Sequence, residues 1–264
     1  MNISTDIKQR ILEAINVFET GSAEGEYDNI TIYADGKPDS RGNPTRQITF
    51  GRSQTTEQGH LKNLVQAYID NGGTFASQLQ PYMSRLGVTS LVDETDFIDI
   101  LQKAAREDET MRSTQDTFFD KHYYQKALQF AIDNGFSYPL SMLVIYDSQI
   151  HSGGILDFLR KRFPESPPKR GGDEKAWIKA YTDARHDWLL SKGGLLAKTV
   201  YRTQCFKLLM INGEWTLSNS ILANGIRTRG LEQKPDFDFD VVKLSPEERF
   251  LLRGNGKYAK RMRT

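Results

Sequence analysis

Ile7, Ile11, Ile15 and Phe18 recur at three- to four-residue intervals, the spacing that lines one face of an amphipathic helix. The helix they predict runs from Thr5, a residue type that caps N-termini, to Glu19, with Gly21 as its stop. The pattern then changes. "NITIYAD" (29–35) and "RQITFGR" (46–52) alternate and are rich in β-branched residues, and "GKPDSRGNPT" (36–45) between them is dense in turn formers. Together they predict a hairpin with a long, mobile loop. From residue 57 the period is helical. Leu61, Leu64, Val65, Tyr68 and Ile69 share a face, and "NGG" (71–73) ends that helix. Further helices are expected near 95–106, 115–134, 138–151, 173–191 and 195–210. "ESPPKRGG" (165–172) reads as the clearest linker, and "LEQKPDFDFD" (231–240) opens a less regular tail. The expectation is a mainly α fold with one small N-terminal β-hairpin (α+β), a domain over residues 1–230 and a C-terminal extension over 231–264.

Three charged residues break this pattern. Arg185 falls on the same face as Trp177, Tyr181, Ala184 and Trp188. Arg202 falls on the face marked by Leu195, Thr199, Phe206 and Leu209. Asp147 follows directly on the apolar run of "PLSMLVIYDSQIHSGG" (139–154). Charged side chains are rarely buried unless paired. One reading is an internal network in which Asp147 meets one or both arginines and supports a catalytic carboxylate; His151, one helical turn after Asp147, is placed to join it. The other is that each arginine runs its stem along the core edge and leaves its head in water.

Composition narrows the classes. Apolar residues make up 38% and charged residues 26% of 264, an ordinary globular balance. No apolar run approaches the roughly 20 residues of a membrane helix, so no membrane partner is expected. "MNISTDIKQR" shows no basic segment leading into an apolar one, so no secretory leader is expected in this chain. Lone Cys205 excludes an intramolecular disulfide. The four histidines (60, 122, 151, 186) show no metal-ligand spacing, so no metal and no cofactor is expected. The net charge of +1 hides an asymmetry: residues 1–110 hold 17 Asp/Glu and 10 Lys/Arg, whereas the last 22 residues hold seven Lys/Arg and two Glu. That basic tail lacks aromatic interleaving or any nucleic-acid motif, and no nucleic-acid partner is expected.

The candidate chemistry lies in "FETGSAEGEYDNITIYADG" (18–36), which holds Glu19, Glu24, Glu26, Asp28 and Asp35. Two carboxylates in unlike settings are the equipment of glycoside hydrolysis. Glu19 ends an apolar helix face and suits a general acid. Asp35 ends a strand beside Gly36 and suits a base that activates water, and the Thr49 hydroxyl on the returning strand is placed to hold that water. Thr49 points to the face opposite Ile48 and Phe50. Glu24, Glu26 and Asp28 have no apolar setting and read as a solvated turn.

Glu19, then Tyr27 separated by seven residues from Asp35-Gly36, then Thr49-Phe50-Gly51, resembles the bacterial chitosanases of glycoside hydrolase family 46, which share a fold superfamily with phage-type lysozymes. "ARED" (105–108), "STQDTFFDKHYYQKAL" (113–128), "YDSQIHSGG" (146–154) and "GGDEKAWIKAYTDARHDWL" (171–189) extend the resemblance over roughly residues 10–210. It implies a lysozyme-like two-lobed fold with the active-site cleft between lobes. It also implies an endo-acting, inverting hydrolase of β-1,4 links between glucosamine units. Glu19 would be the acid, Asp35 the base and Thr49 the water-positioning residue, with the two carboxylates roughly 6.5–9.5 Å apart to admit water. Asp147, Arg185 and Arg202 would form a buried ion network behind Glu19. Tyr33, Arg52, Glu57 and His151 are the expected substrate-binding residues. Two departures stand out. "DSRG" at 39–42 offers Asp39 as a rival base, and Glu57 and His60 lie nearest to where the family has a substrate-binding Asp. The rival substrate is peptidoglycan, as for a muramidase, and a different class is a sugar-binding module without catalysis. A monomer is expected. Extracellular action is implied by the family, with a removed leader, non-classical export or a cytoplasmic protein as the alternatives for this chain.

Overall fold

The computed structural model describes residues 1–52 and 54–228; the expected extension over 231–264, with its basic tail, lies outside them. In chain order the elements are α1 (Thr5–Thr20), β1 (Ile30–Pro38), β2 (Pro44–Phe50), β3 (Thr55–Thr56), α2 (Leu61–Asp70), α3 (Ala76–Leu79), α4 (Thr95–Glu107), α5 (Glu109–Phe119), α6 (Gln125–Asn134), α7 (Pro139–Ser152), α8 (Asp157–Arg160), α9 (Glu174–Lys192), α10 (Gly194–Ala197), α11 (Tyr201–Ile211), β4 (Leu222–Ala223) and β5 (Ile226–Arg227). The fold is mainly α with a small antiparallel sheet. The described chain divides into two units: one holds Met1–Glu24 together with Tyr123 to Thr228, the other Gly25–His122. Among the described residues no helix is long and apolar enough to cross a membrane.

In the first unit α7 is the central element. Leu140, Met142, Leu143, Val144, Ile145 and Tyr146 are all at most 2% exposed, and α1, α6, α9 and α11 pack against this helix. Its N-terminus is capped from a distance. The Glu174 carboxylate on α9 accepts from Ser137 N–H at 2.9 Å, Tyr138 N–H at 2.8 Å and the Ser137 and Ser141 hydroxyls at 2.7 and 2.6 Å. A carboxylate at a helix N-terminus satisfies orphan donors and complements the helix dipole. On α1, Ser4 rather than Thr5 is the cap, its hydroxyl accepting from Ile7 N–H. Gly21 closes the helix in the left-handed conformation at φ 77°.

Several expected elements are corrected. The segment 165–172 is not a linker between units: it lies inside the first unit, and a Cβ on Gly172 would sit 1.6 Å from the Ser166 carbonyl oxygen. The helix expected over 195–210 is split. Gly194–Ala197 forms one short helix, Lys198–Val200 a 3-10 turn, and the helix proper begins at Tyr201. Leu195 is accordingly 70% exposed and does not belong to Arg202's buried face, and Thr199 is half-buried. The helix expected over 115–134 starts earlier, at Glu109, because Asp108 caps it through Thr110 N–H, and it is interrupted by a π turn at Asp120–Tyr124. Trp215, Leu217, Ile221 and Ala223, beyond the last expected helix, join the core, and β4 and β5 form a second sheet.

The second unit is built on β1–β2–β3, an antiparallel sheet in that order, together with α2 to α5. β1 is longer than expected and β2 is shifted toward the turn, starting at Pro44 and ending at Phe50. Gly36–Pro38 continue β1 and Pro44–Thr45 begin β2, which leaves a connection of only Asp39–Asn43. The ladder shifts register between Ala34 and Pro38, so Asp35 does not end the strand but sits in a bulge within it. Ile48, Thr49 and Phe50 are all buried, so Thr49 lies on a covered face as its neighbours do.

Candidate active site

Glu19 occupies the last turn of α1. Its side chain is 12% exposed, and its Oε1 accepts from Arg202 Nη2 at 2.7 Å; among the described residues no hydrogen bond reaches Oε2. The helix end itself is held by α11. The Tyr201 hydroxyl and Arg202 Nη2 both donate to the Phe18 carbonyl, at 2.8 and 3.1 Å, so a cation from another helix meets the carbonyl end of α1, which has no basic residue in its own last turn. The Arg202 guanidinium also lies over the Phe18 and Tyr201 rings.

Behind Arg202 the charges continue inward. Asp147, fully buried on α7, accepts from Arg202 Nη1 at 2.7 Å through Oδ1 and from Arg185 Nη1 at 2.6 Å through Oδ2. The structure therefore brings Glu19, Arg202, Asp147 and Arg185 into one chain of ion pairs. Burial alone would push the Asp147 carboxyl up, but Arg185 and Arg202 together prevail and hold it below the usual carboxylate range. Burial likewise opposes the charge on Arg202, and Glu19, Tyr201 and Asp147 outweigh it, so its guanidinium stays charged. Two arginines against two carboxylates leave the buried cluster with no unpaired charge.

In the second unit, Asp35 is exposed and held from one side: Gln47 Nε2 donates to its Oδ1 at 2.9 Å. The amide orientation of Gln47 is set by its other end, where Oε1 accepts from Gln58 N–H at 3.3 Å. The bulge beside Asp35 is stitched by side chains in place of the broken ladder. Gln58 Oε1 accepts from Lys37 N–H at 2.6 Å and its Nε2 donates to Thr45 Oγ1, which in turn donates to the Lys37 carbonyl. Tyr33, 44% exposed, is two residues before Asp35 and opposite Gln47. Thr49 is paired in register with Thr31 and Thr56, and among the described residues its hydroxyl has no hydrogen-bond partner. Asp39 is committed to the turn, its Oδ1 accepting from Asn43 N–H at 2.9 Å and Arg41 N–H at 2.8 Å. Those two bonds hold its carboxyl below the usual range.

Three expected substrate contacts are relocated. Glu57 is 2% exposed and both its oxygens accept from backbone, Ile48 N–H at 3.2 Å and Leu91 N–H at 2.6 Å. Arg52 is 6% exposed; it lies 3.1 Å from Asp116 Oδ1 and faces the Tyr27 and Phe119 rings, where it braces the segment after Thr49 against α5. His151 is half-buried and its Nδ1 lies 3.2 Å from Arg185 Nη2. His60 is exposed beside His122 and Phe118. Sequence reasoning missed Gln47 and Tyr201. A polar Gln47 on the same strand face as Thr49 was the available signal; Tyr201, adjacent to Arg202, carried none. Among the described residues no group of three His, Cys, Asp or Glu is placed to hold a metal ion.

The family model for glycosyl hydrolase family 46 matches residues 13–220, a span that contains every residue just described. The chain belongs to glycosyl hydrolase family 46. It is thus a glycoside hydrolase, and its relatives agree. It is 26% identical over 204 residues to a chitosanase of Bacillus subtilis (strain 168), covering 72% of this chain and 69% of that protein. Among solved structures it resembles a glutamate-to-alanine mutant chitosanase from Bacillus subtilis MY002 complexed with 6 GlcN, with a TM-score of 0.70 and 23% identity over 83% of this chain and 95% of that one. It also resembles a family 46 chitosanase from Gynuella sunshinyii in complex with chitotetraose, with a TM-score of 0.71 and 20% identity over 86% and 98% of the two chains. These likenesses show a shared fold.

Proposed function

We propose that this family 46 hydrolase cleaves β-1,4 links within chitosan, a glucosamine polymer, by inversion at the anomeric carbon. Glu19 is the general acid, Asp35 the general base, and Thr49 holds the attacking water. The observation that carries the reading is the anchored Glu19: one carboxylate oxygen is fixed by Arg202 and, among the described residues, the other has no hydrogen-bond partner. A general acid needs that arrangement, because the free oxygen must present its proton to the glycosidic oxygen in one direction. Asp35 has the complementary setting. It is exposed, so water reaches it, and Gln47 fixes the carboxylate without occupying both oxygens. The Thr49 hydroxyl has donor and acceptor capacity for a water. Chitosanases among the relatives, one complexed with 6 GlcN and one with chitotetraose, support the choice of substrate. A polymer of that size does not cross membranes, so the reading places the reaction outside the cell that makes the enzyme.

The test follows reducing ends from glucosamine oligomers and, separately, from purified cell wall. Release from the oligomers supports the proposal; release from cell wall alone would replace chitosan by peptidoglycan, and release from neither rejects hydrolysis of both. Proton NMR of the first product formed separates the mechanisms: the α-anomer marks inversion and the β-anomer rules it out. Glu19→Gln and Asp35→Asn are each expected to abolish turnover with the circular dichroism unchanged.

A further inference from the structure

The chain of ion pairs behind Glu19 does not stop at Arg185. We infer that His151 is a positioning residue for Glu19, acting as a neutral hydrogen-bond acceptor that fixes Arg185 rather than as a contact to substrate. The inference rests on Glu19 being the general acid.

Arg185 is fully buried. A guanidinium has only donors, so the nitrogen 3.2 Å from its Nη2, His151 Nδ1, must be the one that accepts. That fixes the tautomer: the lone pair sits on Nδ1 and the ring proton on Nε2. The Ser152 hydroxyl, 3.4 Å from the same nitrogen, also approaches as a donor. The charged groups around the ring come from three helices: Asp147 on its own α7, Arg185 on α9 and Arg202 on α11. Burial, followed by Arg202 and then Arg185, outweighs the pull of Asp147 and brings the imidazole down to about 3. A protonated ring would set an N–H against the guanidinium N–H and break the contact.

The consequence reaches Glu19 through three fixed links. His151 and Asp147 hold the two terminal nitrogens of Arg185, so its plane has one orientation. That orientation sets Asp147 Oδ2, the other oxygen of Asp147 sets Arg202, and Arg202 sets Glu19 Oε1. Without the acceptor, Arg185 would keep a buried donor unpaired, beside an Nε that already lacks a partner among the described residues. It would tilt to recover a bond elsewhere.

The experiment compares His151→Leu, which keeps the bulk and loses the acceptor, with His151→Asn, which restores one, on glucosamine oligomers. His151→Leu is expected to lower kcat by about tenfold with KM unchanged, inside the ~10²-fold that a misplacement of about 1 Å can cost. His151→Asn is expected to recover most of that loss. A raised KM with kcat intact would identify a substrate contact and overturn the inference. So would unchanged kinetics in His151→Leu, or no advantage of Asn over Leu. Glu19→Gln is the control: if it keeps turnover, the acid assignment itself fails, whereas an inactive Glu19→Gln beside an unaffected His151→Leu refutes only the role of His151. Should His151→Leu not fold, imidazole nitrogen NMR of the unaltered protein decides. An unprotonated Nδ1 and protonated Nε2 are expected, and a protonated Nδ1 at neutral pH refutes the assignment.

Discussion

Gln47 shows how much a single amide does at a site of this kind. It sits on β2 with one end on backbone and the other on Asp35, so an exposed carboxylate on a bulge is held in one orientation. A hydrogen bond to a charged group contributes about 1.5–3 kcal/mol. Gln47→Leu should therefore lower kcat roughly ten- to hundredfold, with circular dichroism unchanged; steady-state kinetics equal to the parent would show that Asp35 is oriented by other means. The charged residues were legible in the sequence to different degrees, for a physical reason. Asp147, Arg185 and Arg202 stood out because each interrupts an apolar stripe, and periodicity exposes such a conflict. Glu57 was misread because its partners are backbone N–H groups of Ile48 and Leu91, and a backbone donor leaves no trace in residue identity. The two ends of the hairpin loop were misread similarly: Gly, Pro and Asp suggest a turn anywhere among them, and only the polar stitching by Gln58 and Thr45 decides that the strands extend to Pro38 and Pro44.

Among the elements, α7 and α9 carry the most consequence. α9 supplies the cap of α7 through Glu174, a bond to its middle through the Tyr181 hydroxyl on Ser148 Oγ at 2.9 Å, and the counter-ion of Asp147 through Arg185. The helix that displays Asp147 is therefore registered by one neighbour at two heights, its N-terminus and the Asp147–Ser148 turn. Glu174→Ala removes an acceptor used by four donors, and by the cost of leaving buried donors unpaired it should destabilise the protein by about 1–3 kcal/mol. Urea unfolding measures this, with a lowered midpoint and an unchanged slope; an unmoved midpoint would mean that water replaces the carboxylate. Element types were largely readable, since long periodic helices carry the strongest pattern. What escaped were the short pieces: α3, α8, α10 and the β4–β5 pair span only two to four residues each, too few for a period to show.

At the scale of the whole molecule, the half-buried His151 and the fully buried Asp147 set a direction for acid sensitivity. The folded-state proton affinity of His151 is depressed from 6.5 to about 3. Its contribution to stability is full above pH 6.5 and is lost as pH falls from there through about 3, because over that window the unfolded chain binds a proton that the folded one does not. The slope is at most about 1.4 kcal/mol per pH unit. Asp147 is depressed as well, so its part is present above the ordinary 3.8 and is lost as pH falls below it through the folded value. Urea midpoints followed with pH should decline from pH 6.5 downward, and His151→Asn should remove one proton's worth of that slope; parallel curves for the two proteins would contradict a half-buried neutral imidazole.

The first unit is assembled from both ends of the described chain, with Gly25–His122 set between them. On a ribosome this imposes an order of events. The helix bearing Glu19 emerges early, yet Arg202 follows 183 residues later, a wait of roughly ten to forty seconds at about 5–20 residues per second. The inserted unit has all of its sequence available before the flanking one does. Until α7 arrives, the apolar stripe of α1 lacks the native helix it packs against. The nascent chain is then a natural client for a holdase chaperone, and a slow synonymous codon placed before Pro139 would lengthen that exposure.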